Sequence, residues 1–137
     1  MSVYLDASIL VSLFTNDTLT ARADAVLRAR PPLLMVSNLA AAEFASAITR
    51  RVRMQLITAQ EAHAAFSTFD ARIARTTTPL CATSLLRAGF LRRLNLTLRT
   101  DDALHIAIAQ RVGAELLTFD RQMANAARAL AASAVGR

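Results

Sequence analysis

Residues 99–120 read RTDDALHIAIAQRVGAELLTFD: two adjacent aspartates, an apolar run, a glycine, a short β-type run and a further aspartate. The run ALHIAIAQRV has helical spacing and stops at Gly113, a residue suited to the left-handed turn that ends a helix. Glu115 to Phe119 then reads as a strand, and Asp120 opens a last helix to about Ala132. Helix, tight turn, strand and helix in succession imply a parallel sheet covered on both faces.

The same alternation extends upstream. Val3-Tyr4-Leu5 is a short β-type run ending at Asp6, and the apolar stretch Ile9–Phe14 that follows suits a helix. Residues 18–30 look helical until Pro31-Pro32 stops them. Leu33 to Val36 forms a second strand. Ser37 or Asn38 then caps the helix NLAAAEFASAITRRVRMQ, whose last turns carry Arg50, Arg51 and Arg53 where the helix dipole favours cations. Thr58 and Glu61 make a capping box for a helix running to about Arg75. A strand is expected around Leu80–Ala82 and a helix over about Ser84–Leu94. The expected fold is therefore α/β: one domain over residues 1–137, with a central parallel sheet of four short strands flanked by helices on both faces.

Composition narrows the chemistry. Sixteen basic residues, all arginine, against ten acidic ones give a net charge of +6, a balance that suits a polyanionic partner. Without lysine there is no Walker A loop, and aspartyl-phosphate families that depend on a lysine become poor fits. No CxxC, HExxH or GxSxG occurs, and two distant histidines, His63 and His105, make no zinc signature. The single cysteine, Cys81, reads as a small core residue and agrees with a reducing compartment. No uncharged stretch approaches the ~20 residues that span a bilayer. The first apolar run lacks a basic preamble and is interrupted by Asp6, so a soluble, cytoplasmic chain is expected.

In open parallel sheets, ligands bind beyond the carboxyl ends of the strands. Asp6 ends the first strand and Asp120 follows the last. Glu43 lies in the second turn of the helix after the second strand, and Asp102 starts the helix before the last strand. Each aspartate has an ordinary alternative as a helix cap or first-turn residue. Glu43 is harder to dismiss, because its neighbours Leu39, Ala40, Ser46 and Ala47 form an apolar, small face. A carboxylate there needs a partner, and arginine or a metal are the candidates. Converging carboxylates repel one another and raise some of their pKa values. A hard divalent cation such as Mg²⁺ or Mn²⁺ relieves that repulsion and activates water for attack on a phosphoryl group.

VYLDASILVSLF, NLAAAEFASAI and LRTDDALHIAIAQRVGAELLTFDRQMANAA together resemble PIN domains, most closely the VapC toxins of bacterial toxin–antitoxin pairs. The resemblance covers nearly the whole chain. It implies Asp6, Glu43, Asp102 and Asp120 as the catalytic, metal-holding acids, with Thr118 as the hydroxyl of a T-x-D motif and Ser8 supporting Asp6. It also implies a Mg²⁺- or Mn²⁺-dependent endoribonuclease acting on single-stranded or loop RNA, a homodimer, and inhibition by a small VapB-like antitoxin. The terminal ALAASAVGR lacks the apolar strand that often closes the family's sheet, which leaves a fifth strand open.

Arg50, Arg51, Arg53, Arg92, Arg93 and Arg99 are candidate RNA contacts, although each alone suits a solvated surface. His105, four residues after Asp101 on the same helix, is within reach of the site, but the surface or the edge of the core is the favoured expectation. Asp102 shares a helical face with Ile106 and Ala109, whereas Asp101 is rotated from it by about 100° and suits a cap or a solvated neighbour. Two rivals remain at this level: a non-catalytic PIN-like module that binds RNA or protein, and a DNA-directed nuclease.

Overall fold

Ser2–Leu5 (β1) takes the centre of the sheet because both of its faces are apolar: Val3, Tyr4 and Leu5 are all buried. Successive side chains of a strand point to opposite faces, so Val3 and Leu5 serve one layer of helices and Tyr4 the other. The computed structural model describes residues 2–29, 33–73 and 77–135. Leu33–Ser37 (β2) pairs with one side of β1, aligning Val3 with Leu34 and Tyr4 with Met35. Glu115–Leu117 (β4) pairs with the other, aligning Tyr4 with Leu116. Thr77–Thr78 (β3) adds to β2, giving an all-parallel, four-stranded sheet in the order β3-β2-β1-β4.

Ala7–Phe14 (α1), Asn38–Arg53 (α3) and Ala59–Arg72 (α4) cover the Val3/Leu5 face. Four phenylalanines join these helices. Phe44 stacks on Phe69 with ring centroids 4.8 Å apart, and the edges of Phe14 and Phe66 meet it at 5.8 and 5.9 Å. Each such pair adds ~0.5–1.5 kcal/mol beyond the burial of its area. On the opposite face, Ala82–Leu94 (α5), Thr100–Val112 (α6) and Arg121–Val135 (α7) enclose Leu91, Ile106, Met123 and Leu130. Thr20–Ala29 (α2) follows a turn in which Asp17 Oδ1 accepts from the Leu19 amide at 2.8 Å.

The caps explain where these helices start. The Asp6 side chain accepts from the Ile9 amide and starts α1 two residues earlier than the apolar run alone suggests. Ser37, rather than Asn38, caps α3, and the Thr58–Glu61 capping box holds both of its bonds. At its other end, α6 stops at Gly113 with φ 66°, the left-handed geometry that glycine adopts without Cβ strain.

Three expectations need correction, and the open fifth strand is decided. The strand placed around Leu80–Ala82 lies instead at Thr77–Thr78, because Pro79 lacks the N–H needed to extend the ladder and Ala82 already belongs to α5. Helix α6 begins at Thr100 with Arg99 at its N-cap, so Asp101 and Asp102 lie within its first turn and neither caps it. Cys81 is a half-exposed residue at the start of α5 rather than part of the core. No fifth strand occurs among the described residues, since α7 continues to Val135. The expected boundaries at residues 30–32 and 75 fall outside the described residues. None of the described helices is long and apolar enough to cross a membrane.

Candidate active site

The carboxyl ends of β1, β2 and β4 open at one end of the sheet, and the polar side chains there are tied together by a dense set of hydrogen bonds. Asp6, the residue after β1, is buried. Its Oδ1 accepts from the Ser8 hydroxyl at 2.6 Å and the Ile9 amide at 3.2 Å, while Oδ2 accepts from the Thr118 hydroxyl at 2.5 Å. Thr118 Oγ1 accepts in turn from the Asp120 amide at 3.0 Å, and Ser8 Oγ from the Phe119 amide at 3.0 Å. The loops after β1 and β4 are thus cross-linked through Asp6. Asp120 caps α7, with Oδ1 accepting from the amides of Gln122 and Met123 at 2.9 and 3.1 Å. The ordinary role of both aspartates as caps and their position at the strand ends therefore coexist.

Asp102 is buried with Ile106 and Ala109, whereas Asp101 is half-exposed and pairs with Arg99 at 3.4 Å. Burial raises the Asp102 carboxyl above its ordinary pKa, and the charges of Asp101 and Asp120 push it further in the same direction; Arg99 and His105 oppose them. The two adjacent aspartates occupy different environments. Because an exposed pair of this kind is worth about 0–1 kcal/mol, Asp101→Asn should leave stability nearly unchanged. Any nuclease activity should stay within about threefold of wild type, a range of ~0.7 kcal/mol. Parallel urea titrations and cleavage assays of the single variants would check this.

Glu43, on α3, meets no arginine among the described residues. Its Oε1 lies 2.5 Å from Nε2 of His105, a residue only 1 % exposed. The other imidazole nitrogen, Nδ1, lies 2.6 Å from the Tyr4 hydroxyl, which lies 2.6 Å from the Ser37 hydroxyl. His105 was expected at the surface or the core edge; the structure places it inside, three residues after Asp102 on the same helix face. Tyr4 and Ser37 escaped the sequence reading as well. The available signal was the inward face of α6, together with the need of a fully buried tyrosine hydroxyl for a partner. His63, by contrast, is exposed on α4.

Glu43 opens on a cleft of about 360 Å³ that it lines with Ser8, Val11, Arg50, Arg51 and Phe119. Arg51 is partly held by Asp17 at 3.5 Å, and the Arg22 guanidinium lies over the Phe119 ring at 5.4 Å. Of the six candidate arginines, Arg50 and Arg51 share this cleft, and Arg99 stands at the start of α6 near the two aspartates. Arg53 is exposed at the end of α3. Arg92 and Arg93 close α5, where Arg92 Nε donates to the Leu98 carbonyl at 3.1 Å.

Among the described residues, no three His, Cys, Asp or Glu side chains stand close enough to enclose a metal ion. The donor chemistry nevertheless fits a hard cation. Burial first, and then the charges of Asp101 and Asp120, disfavour the ionised Asp102 carboxyl, and Mg²⁺ typically keeps several waters and needs only one or two carboxylates directly.

A PIN-domain family model matches residues 3–129, and the chain belongs to that family. No curated protein matches it in sequence. Solved structures with the same fold include VapC20 of Mycobacterium tuberculosis, at 21% identity over 91% of this chain and 95% of that one, TM-score 0.71. FitAcB of Neisseria gonorrhoeae matches at 15% identity over 92% and 93%, TM-score 0.71. A toxin–antitoxin complex from Klebsiella pneumoniae matches at 24% identity over 87% of each chain, TM-score 0.66.

Proposed function

We propose that this chain is a divalent-metal-dependent endoribonuclease and the toxin of a toxin–antitoxin pair. The observation that carries the reading is the carboxylate crowding at the carboxyl end of the sheet. Asp102 is buried within reach of the charges of Asp101 and Asp120, and Glu43 lines a cleft that also carries Arg50 and Arg51. A buried acid facing other negative charges is costly to ionise, and a bound cation would offset that cost.

In this reading Asp6 and Asp102 hold Mg²⁺ or Mn²⁺, directly or through water, and Glu43 and Asp120 complete the negative field. Thr118 and Ser8 fix the Asp6 carboxylate by donating to both of its oxygens. The bound ion would supply an acidified water and offset charge on the phosphoryl oxygen. Glu43 orients the attacking water from the wall of the cleft. Arg50 contacts the phosphate backbone there, with Arg51, Arg53, Arg92, Arg93 and Arg99 as weaker contacts.

The partners are assigned by analogy with the structural neighbours. VapC20 is a sarcin–ricin loop cleaving toxin. A VapBC2 complex from Rickettsia felis, 17% identical with TM-score 0.66, was solved bound to a DNA fragment from its promoter. By analogy we assign single-stranded or loop RNA as substrate, a VapB-like antitoxin as inhibitor, a homodimer as the assembly and the cytoplasm as the location.

The test is cleavage of RNA and DNA by the purified chain with Mn²⁺ or with EDTA, alongside growth on expression of the chain alone. Expected are RNA cleavage that EDTA abolishes, and growth arrest that Asp6→Asn relieves. DNA cleavage alone would redirect the reading to a DNA nuclease. A harmless chain that binds RNA without cutting it would redirect it to a binding module.

A further inference from the structure

Four elements of this fold are threaded by one line of hydrogen bonds. The Ala40 amide donates to Ser37 Oγ at 3.0 Å, Ser37 Oγ meets the Tyr4 hydroxyl at 2.6 Å, Tyr4 meets His105 Nδ1 at 2.6 Å, and His105 Nε2 meets Glu43 Oε1 at 2.5 Å. The line starts at the N-terminus of α3, passes from the end of β2 through β1 and α6, and returns to α3 one turn and a half further on. Its three interior members are almost inaccessible: Ser37 and Tyr4 at 0% and His105 at 1%.

The donors can be assigned from chemistry. A carboxylate has no proton to give, so His105 Nε2 must carry the hydrogen that lies between it and Glu43. With the imidazole neutral, Nδ1 is bare and accepts from the Tyr4 hydroxyl, whereas an imidazolium would donate from both nitrogens. Tyr4 in turn accepts from Ser37, whose oxygen accepts from the Ala40 amide. Every group is used once in one direction, and no buried side-chain N or O among the described residues lacks a partner. The reverse direction would set a bare Nε2 against a carboxylate oxygen, two acceptors face to face. Burial, with the nearby charges of Asp6 and Glu43, raises the tyrosine pKa and keeps its hydroxyl a donor.

We propose that Tyr4 and His105 are positioning residues that fix the tautomer of the imidazole and, through it, hold the Glu43 carboxylate at the wall of the cleft. The proposal rests on the reading of Glu43 as a member of the nuclease site. A core histidine serving stability alone would need neither the fixed tautomer nor a half-exposed acid at the end of the chain. Glu43 has 33% of its side chain exposed, so it would remain hydrated without His105. What the imidazole adds is direction.

The test uses side chains of graded reach. In His105→Gln the amide nitrogen falls near the position of Nε2 and can donate to Glu43; in His105→Asn it falls near Nδ1 and cannot. Cleavage of a mixed-sequence single-stranded RNA oligonucleotide with Mn²⁺ would be read as kcat and KM. Supporting partners of this kind are worth ~10–100-fold in activity. The expected result is a fall of that size in kcat for His105→Asn, KM within about twofold of wild type, and recovery of most of the loss in His105→Gln. Equal activity of the two variants, at either level, overturns the proposal. A second readout needs no turnover: ¹⁵N–¹H correlation of the imidazole in the metal-free protein should show the proton on Nε2, and Glu43→Gln should move its shift. A proton on Nδ1, alone or beside one on Nε2, overturns the assignment. A wild type that cuts no nucleic acid sinks the nuclease reading, and with it any catalytic role for the chain. An active wild type with His105→Asn at full rate sinks the positioning role alone.

Discussion

Asp102→Asn should abolish RNA cleavage while leaving a folded protein that is more stable than wild type at neutral pH without metal. The catalytic half follows from the proposed site: Asp102 would hold the ion that offsets charge at the reacting centre, and losing such electrostatic stabilisation costs ~10²–10³-fold or more in rate. The stability half follows from the raised pKa of this carboxyl. A carboxyl whose folded pKa lies above its unfolded one binds its proton more tightly in the native state. The native state is therefore favoured below the unfolded value of 3.8 and loses that advantage as pH rises through the folded value, above which the penalty is constant. Asparagine keeps the shape and removes the charge. Urea unfolding in EDTA between pH 4 and 7 should show wild type losing stability relative to the variant as pH rises. A variant less stable than wild type at pH 7 would contradict the crowding on which the site reading rests. Asp6→Asn should match it in lost activity for a related reason, since the asparagine oxygen can still accept from Ile9 and Ser8, and asparagine caps helices about as well as aspartate.

Phe44→Ala should lower stability by about 3–5 kcal/mol, the range for truncating a buried aromatic ring. Phe44 is 1 % exposed and touches three other rings, from α1 and α4, so its loss opens a void that three elements border. Against a typical total of ~5–15 kcal/mol, this is a large share. The urea midpoint should fall with little change in slope, as expected when the native state weakens without becoming less compact. A loss below about 1 kcal/mol would mean that the surrounding helices close over the gap. The contrast with Asp102 is informative: one substitution should spare the fold and remove activity, and the other should remove activity only in proportion to the fraction unfolded.

The sheet and its acids were legible because both depend on local order in the chain. β1, β2 and β4 are short apolar runs that end in residues suited to capping the next helix, and in a parallel sheet those ends all open on the same side. The division between Asp101 and Asp102 was legible from helical rotation alone. β3 was not, because its two threonines and Pro79 give no hydrophobic pattern, and its pairing with the end of β2 is a tertiary choice. The start of α6 was misplaced because aspartates in a first turn resemble caps. Glu43 stands on an apolar face that demands a partner, and the local sequence offers only an arginine or a cation for it. The partner is an imidazole 62 positions away, and only the packing of α6 against β1 makes that distance short.

Both margins of the sheet are cut short. On one side β3 has two paired residues and runs straight into a proline; on the other β4 has three. An incoming extended chain would find too few free amide and carbonyl groups to grip, and Pro79 offers no amide hydrogen. Among the described residues, sheet extension, the usual route by which small proteins stack into fibres, is therefore disfavoured at both margins.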